Sequence, residues 1–270
     1  MTHPSPRQFL LTPPQDLEAA RAFGLPLALM AWQLDGQGRL TQAPLPPQAQ
    51  GGLMLVGASQ PIQEGADPRR AAQEILAQCR SRACAGVILD LELPPSPFLA
   101  QLIRLVEEGL AQRQGTLFLP ERYANFSHRA SLYLTSAISG GSLRRRLEEV
   151  IAQYGARRLV LCLRRAREDF FLPATKGVGH PISQEELRQL RRRLEPSVFF
   201  SPHLCARYFT YMSRESGAHF VLFDDGATLA KKLQVARSLD IRTVLAAWPE
   251  IADVTEDLGL RRAASGRVLR

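Results

Sequence analysis

The feature that most constrains the fold is the alternation of short apolar runs with segments of helical periodicity along most of the 270-residue chain. The runs at 53–57 and 159–163 are continuously apolar, which is typical of parallel strands that are covered on both faces. In the segment 68–79, apolar residues recur at helical spacing and share one face. We predict strands at residues 9–11, 27–32, 53–57, 86–92, 116–119, 131–138, 159–163, 220–223 and 243–247. We predict helices at residues 16–23, 68–79, 99–110, 143–154, 185–194 and 225–239.

About eight strand-then-helix units close naturally into a single (β/α)8 TIM barrel, so an α/β fold of this kind is our prediction. An open doubly wound sheet is the alternative, and it is disfavoured because no G-x-G-x-x-G or Walker loop follows an early strand. We expect the barrel domain to occupy residues 1–260 and a basic C-terminal tail to occupy residues 261–270. The chain length suggests short loops with little room for an insertion domain, so we expect any binding site to be shallow.

The chain is basic, with 34 Lys and Arg residues against 26 Asp and Glu residues and a net charge of +8. Most arginines alternate with acids on predicted helices, as at 144–149, and such faces are usually solvated. The sequence shows no zinc-finger, RNP or basic-aromatic pattern, so we predict no nucleic-acid partner.

The sequence also lacks signals for a membrane or for a metal. No apolar run reaches about 18 residues, and residues 1–6 are unlike a signal peptide, so we predict no membrane partner and expect a cytoplasmic location. The four cysteines show no metal-binding spacing, and we predict neither a metal nor a cofactor. The oligomeric state stays open.

Two carboxylates mark the end of the fourth predicted strand. Asp90 and Glu92 are two residues apart and therefore project to the same side of a strand. Active sites of barrels lie at the C-terminal ends of the strands, and two like charges in close proximity raise the pKa of one of them, which suits a general acid. A strand end that becomes polar as it reaches solvent is the alternative interpretation.

The segment 86–92 resembles the fourth-strand motif D-G-x-D-x-D-x-E of family 18 glycoside hydrolases, the chitinase-like barrels. The segments 27–40, 219–236 and 243–248 are similar to the spore cortex-lytic branch of that family, in the same order along the chain. The resemblance implies a (β/α)8 barrel, a glycan partner that contains N-acetylhexosamine, such as chitin or peptidoglycan, and a spore-associated setting.

The resemblance also implies roles for individual residues. Glu92 would protonate the glycosidic oxygen, and Asp90 would orient the N-acetyl group of the substrate. The N-acetyl carbonyl itself attacks the anomeric carbon in this substrate-assisted route, so no second protein nucleophile is required. Trp248 would form the floor of the sugar site.

Some positions depart from the family pattern. Ala85 and Ile88 stand where the motif has its first and inner aspartates. The sixth strand of active members ends in a Tyr-Asp pair that holds the acetamide, and the matching positions here are Ser136 and Ala137.

Three further residues are candidates for substrate binding. Glu121 and Tyr123 follow the fifth predicted strand and would line the mouth, unless they are solvated loop residues. Tyr211 belongs to an aromatic stretch that suits sugar stacking, although core aromatics before a strand fit equally well. These observations predict a glycosidase, a catalytically inactive glycan-binding barrel or, more distantly, a metal- or phosphate-dependent barrel enzyme that uses Asp90 and Glu92.

Overall fold

The computed structural model describes residues 6–172 and 179–263. Within those residues, eight parallel strands form a closed barrel, because the first strand pairs with both the second and the last. In chain order the barrel strands are β1 (Arg7–Thr12), β2 (Leu27–Leu34), β4 (Leu53–Ala58), β5 (Gly86–Leu91), β6 (Thr116–Pro120), β7 (Ser131–Thr135), β8 (Leu159–Leu163) and β14 (Thr243–Ala247). A short strand β3 (Leu40–Gln42) extends β2 in the antiparallel direction. The predicted TIM barrel is confirmed.

Helices surround most of the barrel, close to where periodicity predicts them. They are α1 (Leu17–Arg21), α2 (Pro68–Ser81), α3 (Pro97–Ala111), α4 (Leu143–Tyr154), α6 (Gly226–Ser238) and the short α7 (Trp248–Ile251). Asp67, Ser96 and Ser142 cap α2, α3 and α4 by accepting a backbone amide of the first turn, which satisfies a donor that the helix leaves unpaired. A 3-10 helix, Glu121–Phe126, takes the place of an α-helix between β6 and β7.

The barrel strands alternate between two separate apolar cores. Ile88 belongs to the cluster inside the barrel, whereas the adjacent Leu89 belongs to the layer between the strands and the helices. The interior cluster also includes Phe9, Leu55 and Phe118 from three other strands. Because side chains alternate along a strand, the residues that follow the interior series at the C-terminal strand ends must face the mouth of the barrel.

The connection between β8 and α6 contains a second sheet of five antiparallel strands, as described within 167–172 and 179–223. Its strands are β9 (Arg167–Leu172), β10 (His180–Pro181), β11 (Phe199–Ser201), β12 (Ala206–Ser213) and β13 (Gly217–Phe223), in the order β10-β9-β13-β12-β11. Helix α5 (Gln184–Leu194) lies within the same connection. We call this sheet with its helix the insertion.

The insertion corrects two expectations from the sequence. The apolar run 220–223 is part of β13 and is not a barrel strand, and the loops are not uniformly short. The reason is that Phe220 and Leu222 are packed into one apolar cluster while Val221 and Phe223 are packed into another. A strand covered on both faces is continuously apolar whether its neighbours are parallel or antiparallel.

A buried ion pair closes the neck of the insertion, where the chain leaves and re-enters the barrel. The backbone amide of Ala166 donates to Asp224 Oδ2 at 2.7 Å, and the amide of Asp224 donates to the carbonyl of Ala166 at 2.9 Å. Lys232 Nζ lies 2.5 Å from the same Oδ2, and both side chains are fully buried. Thr228 donates its hydroxyl to Asp224 Oδ1 at 2.8 Å, so the carboxylate is fully hydrogen-bonded.

The predicted basic tail falls mostly outside the described residues, since 264–270 are not described. At the end of the described part, Ala263 donates its amide to the carbonyl of Ala22 at 2.7 Å. Among the helices described here, none is long and apolar enough to span a bilayer.

Candidate functional site at the barrel mouth

The C-terminal ends of neighbouring strands bring polar side chains together at one opening of the barrel. Asp90 of β5 lies in register with Gly57 of β4, which in turn lies in register with Gln33 of β2. Tyr133 of β7 and Arg164, the residue after β8, complete this group, which we call the mouth. Asp90 follows Ile88 in the inward-facing series of β5, so its carboxylate caps the apolar interior.

Tyr133 and Asp90 form the shortest contact of the mouth. The phenol of β7 donates to Asp90 Oδ1 of β5 at 2.6 Å, across the end of the intervening β6. Burial, and then the negative charge of Asp90, raises the pKa of the Tyr133 phenol far above its usual value. The phenol therefore stays protonated and can act as a neutral hydrogen-bond donor to Asp90 or to a ligand.

Arg164 places a positive charge between two carboxylates. Its guanidinium lies 3.7 Å from Asp90 Oδ2 and 3.9 Å from Glu250 Oε1. Ser136 fixes the backbone of this arginine, because its Oγ donates to the Arg164 carbonyl at 2.9 Å and accepts from the Arg164 amide at 3.0 Å. Burial raises the pKa of the nearby Cys162 thiol to about 11, although Arg164 opposes the shift.

Glu92 stands at the rim, just beyond the end of β5. Its backbone amide donates to the carbonyl of Ala58 at 2.9 Å, which holds the chain against the end of β4. Its side chain is exposed. Among the described residues, no hydrogen bond or ion pair occupies the Glu92 carboxylate, in contrast with the paired carboxylates of Asp90 and Glu250. Glu92 is therefore accessible to a bound substrate.

An apolar cleft begins one residue beyond Glu92 in the chain. It has a volume of about 580 Å³ and lies between the β4–α2 and β5–α3 connections. Leu93, Pro94 and Phe98 line one side, and Ile62 and Ala66 lie on the other. A cleft of this size and apolar lining suits part of an organic ligand.

Gly57 allows a polar side chain to lie over the mouth. A Cβ atom at Gly57 would come within 2.4 Å of Gln33 Oε1, which is far closer than atoms approach one another. Glycine at this position leaves room for the Gln33 amide in its present orientation, and that amide carries two donors and an acceptor. The amide is thus available to contact a ligand above Asp90.

The structure brings together some of the sequence-predicted site residues. Asp90 lies at the mouth in contact with Tyr133 and Arg164, and Glu92 is exposed just beyond the end of β5. Ser136 lies at the mouth too, but it is fully buried and its hydroxyl is engaged by the backbone of Arg164. It supports the site from behind rather than facing a ligand.

The structure does not place the other predicted residues at the mouth. Trp248 is only 5% exposed, packs against Phe23 with ring centroids 5.1 Å apart, and belongs to the outer apolar layer. In this position it is not a floor for a sugar ring. It begins α7, which turns the side chain away from the inward series of β14 that ends at Ala247.

Tyr123 and Glu121 are engaged within the fold. Tyr123 is fully buried, and its hydroxyl donates to the carbonyl of Leu93. Glu121 pairs with Arg146 of α4, with 2.9 Å between Oε2 and Nη2. The Tyr123 phenol is hydrogen-bonded to a main-chain carbonyl inside a core cluster, and moving the phenol out would leave that carbonyl unpaired. We therefore assign Tyr123 a structural role.

Tyr211 lies in β12 of the insertion rather than at the mouth. Its hydroxyl donates to Asp169 Oδ2 at 3.0 Å, and its ring stacks on His219 with centroids 4.3 Å apart. The aromatic stretch around it divides between the two faces of the sheet, with Tyr208 on one apolar cluster and Tyr211 on the other.

Sequence reasoning missed the cation and the phenol of the mouth. Tyr133 carries a detectable signal, since its neighbours Leu132 and Leu134 pack outward and leave it on the inward series. Arg164 follows a continuously apolar strand directly, which is the position where barrel strands place functional residues. The sequence does not indicate that Gln33 belongs to the mouth, because a register shift between Met30 and Trp32 changes which side chains of β2 face inward.

Within residues 6–172 and 179–263, no group of three or more His, Cys, Asp or Glu side chains lies close enough together to hold a metal ion. The prediction that this protein works without a metal or cofactor stays a prediction.

Comparisons of sequence with known proteins give one short match. No family model matches the chain. Over 107 residues the chain is 24% identical to the protein named as the sporulation-specific glycosylase YdhD of Bacillus subtilis (strain 168). The match covers 39% of this chain and 25% of that protein, so the chain spans only about a quarter of this relative's length.

Comparisons of structure extend over nearly the whole chain. The spore cortex-lytic enzyme SleL of Bacillus megaterium QM B1551 matches with a TM-score of 0.66 and 13% identity, over 96% of this chain and 75% of that one. A mutant class V chitinase from Nicotiana tobaccum, solved in complex with NAG4, matches with a TM-score of 0.65 and 12% identity, over 94% and 99% of the two chains. The predicted resemblance is therefore confirmed for the fold: the chain has the barrel fold of chitinases and spore cortex-lytic enzymes.

Proposed function

We propose that this chain is a glycoside hydrolase of the family 18 type that cleaves N-acetylhexosamine-containing glycans of the chitin or peptidoglycan kind. The observation that carries the proposal is the 2.6 Å hydrogen bond from Tyr133 to Asp90. This bond joins a phenol and a carboxylate from two barrel strands. The carboxylate belongs to Asp90, two residues before Glu92, which is exposed at the mouth. Such convergent polar groups above an apolar core are typical of the active end of a barrel.

The relatives support the class of substrate. The spore cortex-lytic enzyme, the NAG4 complex of the chitinase and the sporulation-specific glycosylase all share this fold or part of this sequence. From the same similarity we propose that the protein acts in a spore-associated setting.

Glu92 would act first as the general acid and then as the general base. It donates its proton to the glycosidic oxygen while the substrate's acetamido carbonyl oxygen attacks the anomeric carbon and the bond to the leaving sugar breaks. The Glu92 carboxylate then removes a proton from the water that attacks the same carbon, so the configuration is retained. This substrate-assisted scheme needs no second protein nucleophile.

Asp90 would hold the acetamido N–H as positive charge develops on that group. A carboxylate that is already oriented stabilises this charge without reorganising during the reaction. Tyr133 keeps Asp90 in place and, being protonated, can instead donate to the acetamide oxygen. Arg164 lies 3.7 Å from Asp90 Oδ2 and supplies a charged partner where the inner position of the motif is the apolar Ile88.

One observation favours the alternative of a catalytically inactive glycan-binding barrel. Ile88 is 1% exposed and packs inside the barrel directly below Asp90, at the position where the family motif has an aspartate. An apolar contact cannot pass a proton or a charge to Asp90. On this alternative, Gln33, Asp90 and Tyr133 would bind the acetamide, and Glu92 would not turn the substrate over.

The test is the turnover of a chromogenic N-acetylglucosamine oligomer by the wild-type chain and by Glu92→Gln. We expect the variant to lose at least about 100-fold in kcat, because general acid-base catalysis contributes roughly 10²- to 10⁴-fold. Glu108→Gln is the matched control, since Glu108 is an exposed glutamate on the outer helix α3. It should turn over the oligomer at the wild-type rate.

Each other outcome selects another interpretation. Equal rates for wild type and Glu92→Gln would exclude the acid role. Binding of the oligomer in a titration, with no turnover by the wild type, would establish the glycan-binding barrel. Turnover that requires an added divalent metal would favour an enzyme that uses Asp90 and Glu92 as ligands.

A further inference from the structure

The insertion contains a chain of three hydrogen-bonded side chains that the proposed glycan site does not use. Ser216 Oγ lies 2.7 Å from His219 Nε2, and His219 Nδ1 lies 3.0 and 3.1 Å from the two oxygens of Asp169. We propose that Ser216, His219 and Asp169 form a second catalytic site, which hydrolyses carboxylic esters of small acyl groups by way of an acyl-serine. This proposal is independent of the proposed glycosidase.

The distances match the arrangement that a nucleophilic serine requires. An ionised carboxylate only accepts hydrogen bonds, so the neutral imidazole with its proton on Nδ1 donates to Asp169. In that tautomer Nε2 has a free lone pair and accepts the Ser216 hydroxyl hydrogen. A nucleophile within hydrogen-bond reach of a base, whose own orientation is set by a third group, is the signature of an activated hydroxyl.

Burial separates the roles of the three residues. His219 is 3% exposed and Asp169 is 7% exposed, whereas Ser216 is exposed on the turn between β12 and β13. The histidine is clamped between the stacked ring of Tyr211 at 4.3 Å and the edge of Phe171 at 4.6 Å. A buried base that is held in one orientation beneath an accessible hydroxyl is preorganised for attack on a substrate from solvent.

Asp169 is held in place by a second donor. Tyr211 donates its hydroxyl to Asp169 Oδ2 at 3.0 Å, which leaves the carboxylate anchored from both sides. The carboxylate does not touch the substrate, and we infer that it positions the imidazole and stabilises its positive charge.

The turn also offers donors for the oxygen of the tetrahedral intermediate. The backbone amides of Glu215 and Ser216 point to Ser213 Oγ at the long distances of 3.2 and 3.4 Å. Such weak contacts are readily exchanged for a stronger one to an oxyanion, and backbone amides serve this purpose in acyl transfer.

In the reaction, Ser216 Oγ attacks the ester carbonyl carbon and its proton moves to His219 Nε2. The bond from that carbon to the alcohol oxygen then breaks, and His219 returns the proton to the departing alcohol. Water repeats the sequence on the acyl-serine and releases the carboxylic acid, so the site is regenerated and no other reactant is consumed. The half-exposed ring of Phe171 provides apolar surface beside the imidazole for a small acyl group.

The distance from the neck makes this site separable from the mouth. Strand β13 runs from the turn to Phe223, and seven extended residues span roughly 20 Å. Changes at Glu92 should therefore leave ester hydrolysis unaffected, and changes at Ser216 should leave glycan turnover unaffected.

The experiment measures 4-nitrophenyl acetate hydrolysis by the full chain, together with covalent labelling by diisopropyl fluorophosphate and mapping of the labelled residue by mass spectrometry. We expect the label on Ser216, and Ser216→Ala should lose both the label and the hydrolysis above background. Ser81→Ala, an exposed serine at the end of α2, is the control that keeps both.

Asp169→Asn tests the positioning role. We expect kcat to fall by about 10²- to 10⁴-fold while KM stays within about twofold, because Asp169 acts only through the imidazole. Absence of labelling in the folded wild-type chain, or a label on a residue other than Ser216, would overturn the proposal. Hydrolysis by Ser216→Ala at the wild-type rate would do the same.

Discussion

Two regions of the molecule each contain a tyrosine that is hydrogen-bonded to an aspartate, but a different third side chain contacts each aspartate. At the barrel mouth, Tyr133 donates to Asp90 at 2.6 Å, and in the insertion, Tyr211 donates to Asp169 at 3.0 Å. In both pairs a phenol anchors a carboxylate across one intervening strand, β6 at the mouth and β13 in the insertion. The third side chain that contacts the aspartate differs between the two regions. A tyrosine–aspartate pair therefore does not by itself specify a chemical role.

At the mouth the third partner is the guanidinium of Arg164, whose charge is permanent. Asp90 there faces a group that neither takes nor gives a proton, so it is suited to holding a substrate dipole. In the insertion the third partner is the imidazole of His219, a group that can gain and lose a proton. It is hydrogen-bonded to both Asp169 and Ser216. We therefore expect one carboxylate to bind substrate and the other to tune a base.

A buried ion pair lies at the neck between the two regions, and its loss gives the largest effect that we expect. Lys232→Met removes the cation and leaves the Asp224 carboxylate without its charge partner, which should cost about 3–5 kcal/mol in the free energy of unfolding. Lys231→Met is the matched control, because Lys231 is exposed and its Nζ lies over the ring of Phe200, 4.3 Å from the centroid. Denaturant unfolding measures both.

The control should lose no more than about 1 kcal/mol. If Lys232→Met and Lys231→Met unfold at the same denaturant concentration, the buried pair does not hold the neck. A Lys232→Met chain in which only the insertion becomes sensitive to protease would show that the pair joins the insertion to an otherwise stable barrel.

Removing one hydroxyl from each pair tests the roles of the two carboxylates separately. Tyr133→Phe should lower glycan turnover by about 10- to 100-fold, since a carboxylate that loses a donor in a partly buried site loses roughly 1–3 kcal/mol. Tyr211→Phe should leave glycan turnover unchanged and lower 4-nitrophenyl acetate hydrolysis instead. Parallel assays of both substrates on both variants check this crossed pattern.

Two results of these assays would contradict the roles proposed for the two sites. If either variant lowers both activities equally, the two regions do not act separately, and if the effects are exchanged, the roles given to the two carboxylates are wrong. Circular dichroism of each variant establishes that the barrel is intact.

The smallest effect concerns the titration of the phenols at alkaline pH. Burial, and then Asp169, raises the pKa of Tyr211 to about 12, above the value of about 10 for an unfolded tyrosine. Because the folded state keeps the proton longer, this contribution to stability is fully present below pH of about 10 and is lost as the pH rises towards 12.

Ultraviolet titration of the phenolate in wild type and Tyr211→Phe isolates this group. Asp169→Asn should move its pKa down towards 10, because the variant removes the negative charge that opposes ionisation. The same titration should show Tyr133 ionising still later, since its phenol is more deeply buried. An unchanged titration in Asp169→Asn would mean that the carboxylate does not influence Tyr211.

Much of the barrel could be predicted from the sequence, since strand and helix positions follow from local periodicity. The run 53–57 is a buried strand in any arrangement that covers both of its faces, and the first turn of α3 is capped by the serine that precedes it. The run 220–223 has the same composition, yet it belongs to an antiparallel sheet, because pairing direction leaves no trace in a strand that is covered on both sides.

The candidate site was only partly predictable for a similar reason. Asp90 and Glu92 are visible because they end a strand two residues apart. Arg164 and Tyr133 reach Asp90 from positions 74 and 43 residues further along the chain, and only closure of the barrel brings them there. Trp248 looked like a ligand contact because it follows the last strand, but the turn into α7 sends its ring into the outer layer.

The sequence by itself determined the repeating strand-and-helix architecture and the pair of carboxylates at one strand end. Both depend on spacing between residues that are near one another in the chain. Only the tertiary structure decided that β1 closes on β14, that an insertion rises between β8 and α6, and which groups complete each carboxylate. These outcomes depend on contacts between distant segments, and their free energies come from burial and hydrogen bonding that exist only once the chain has folded.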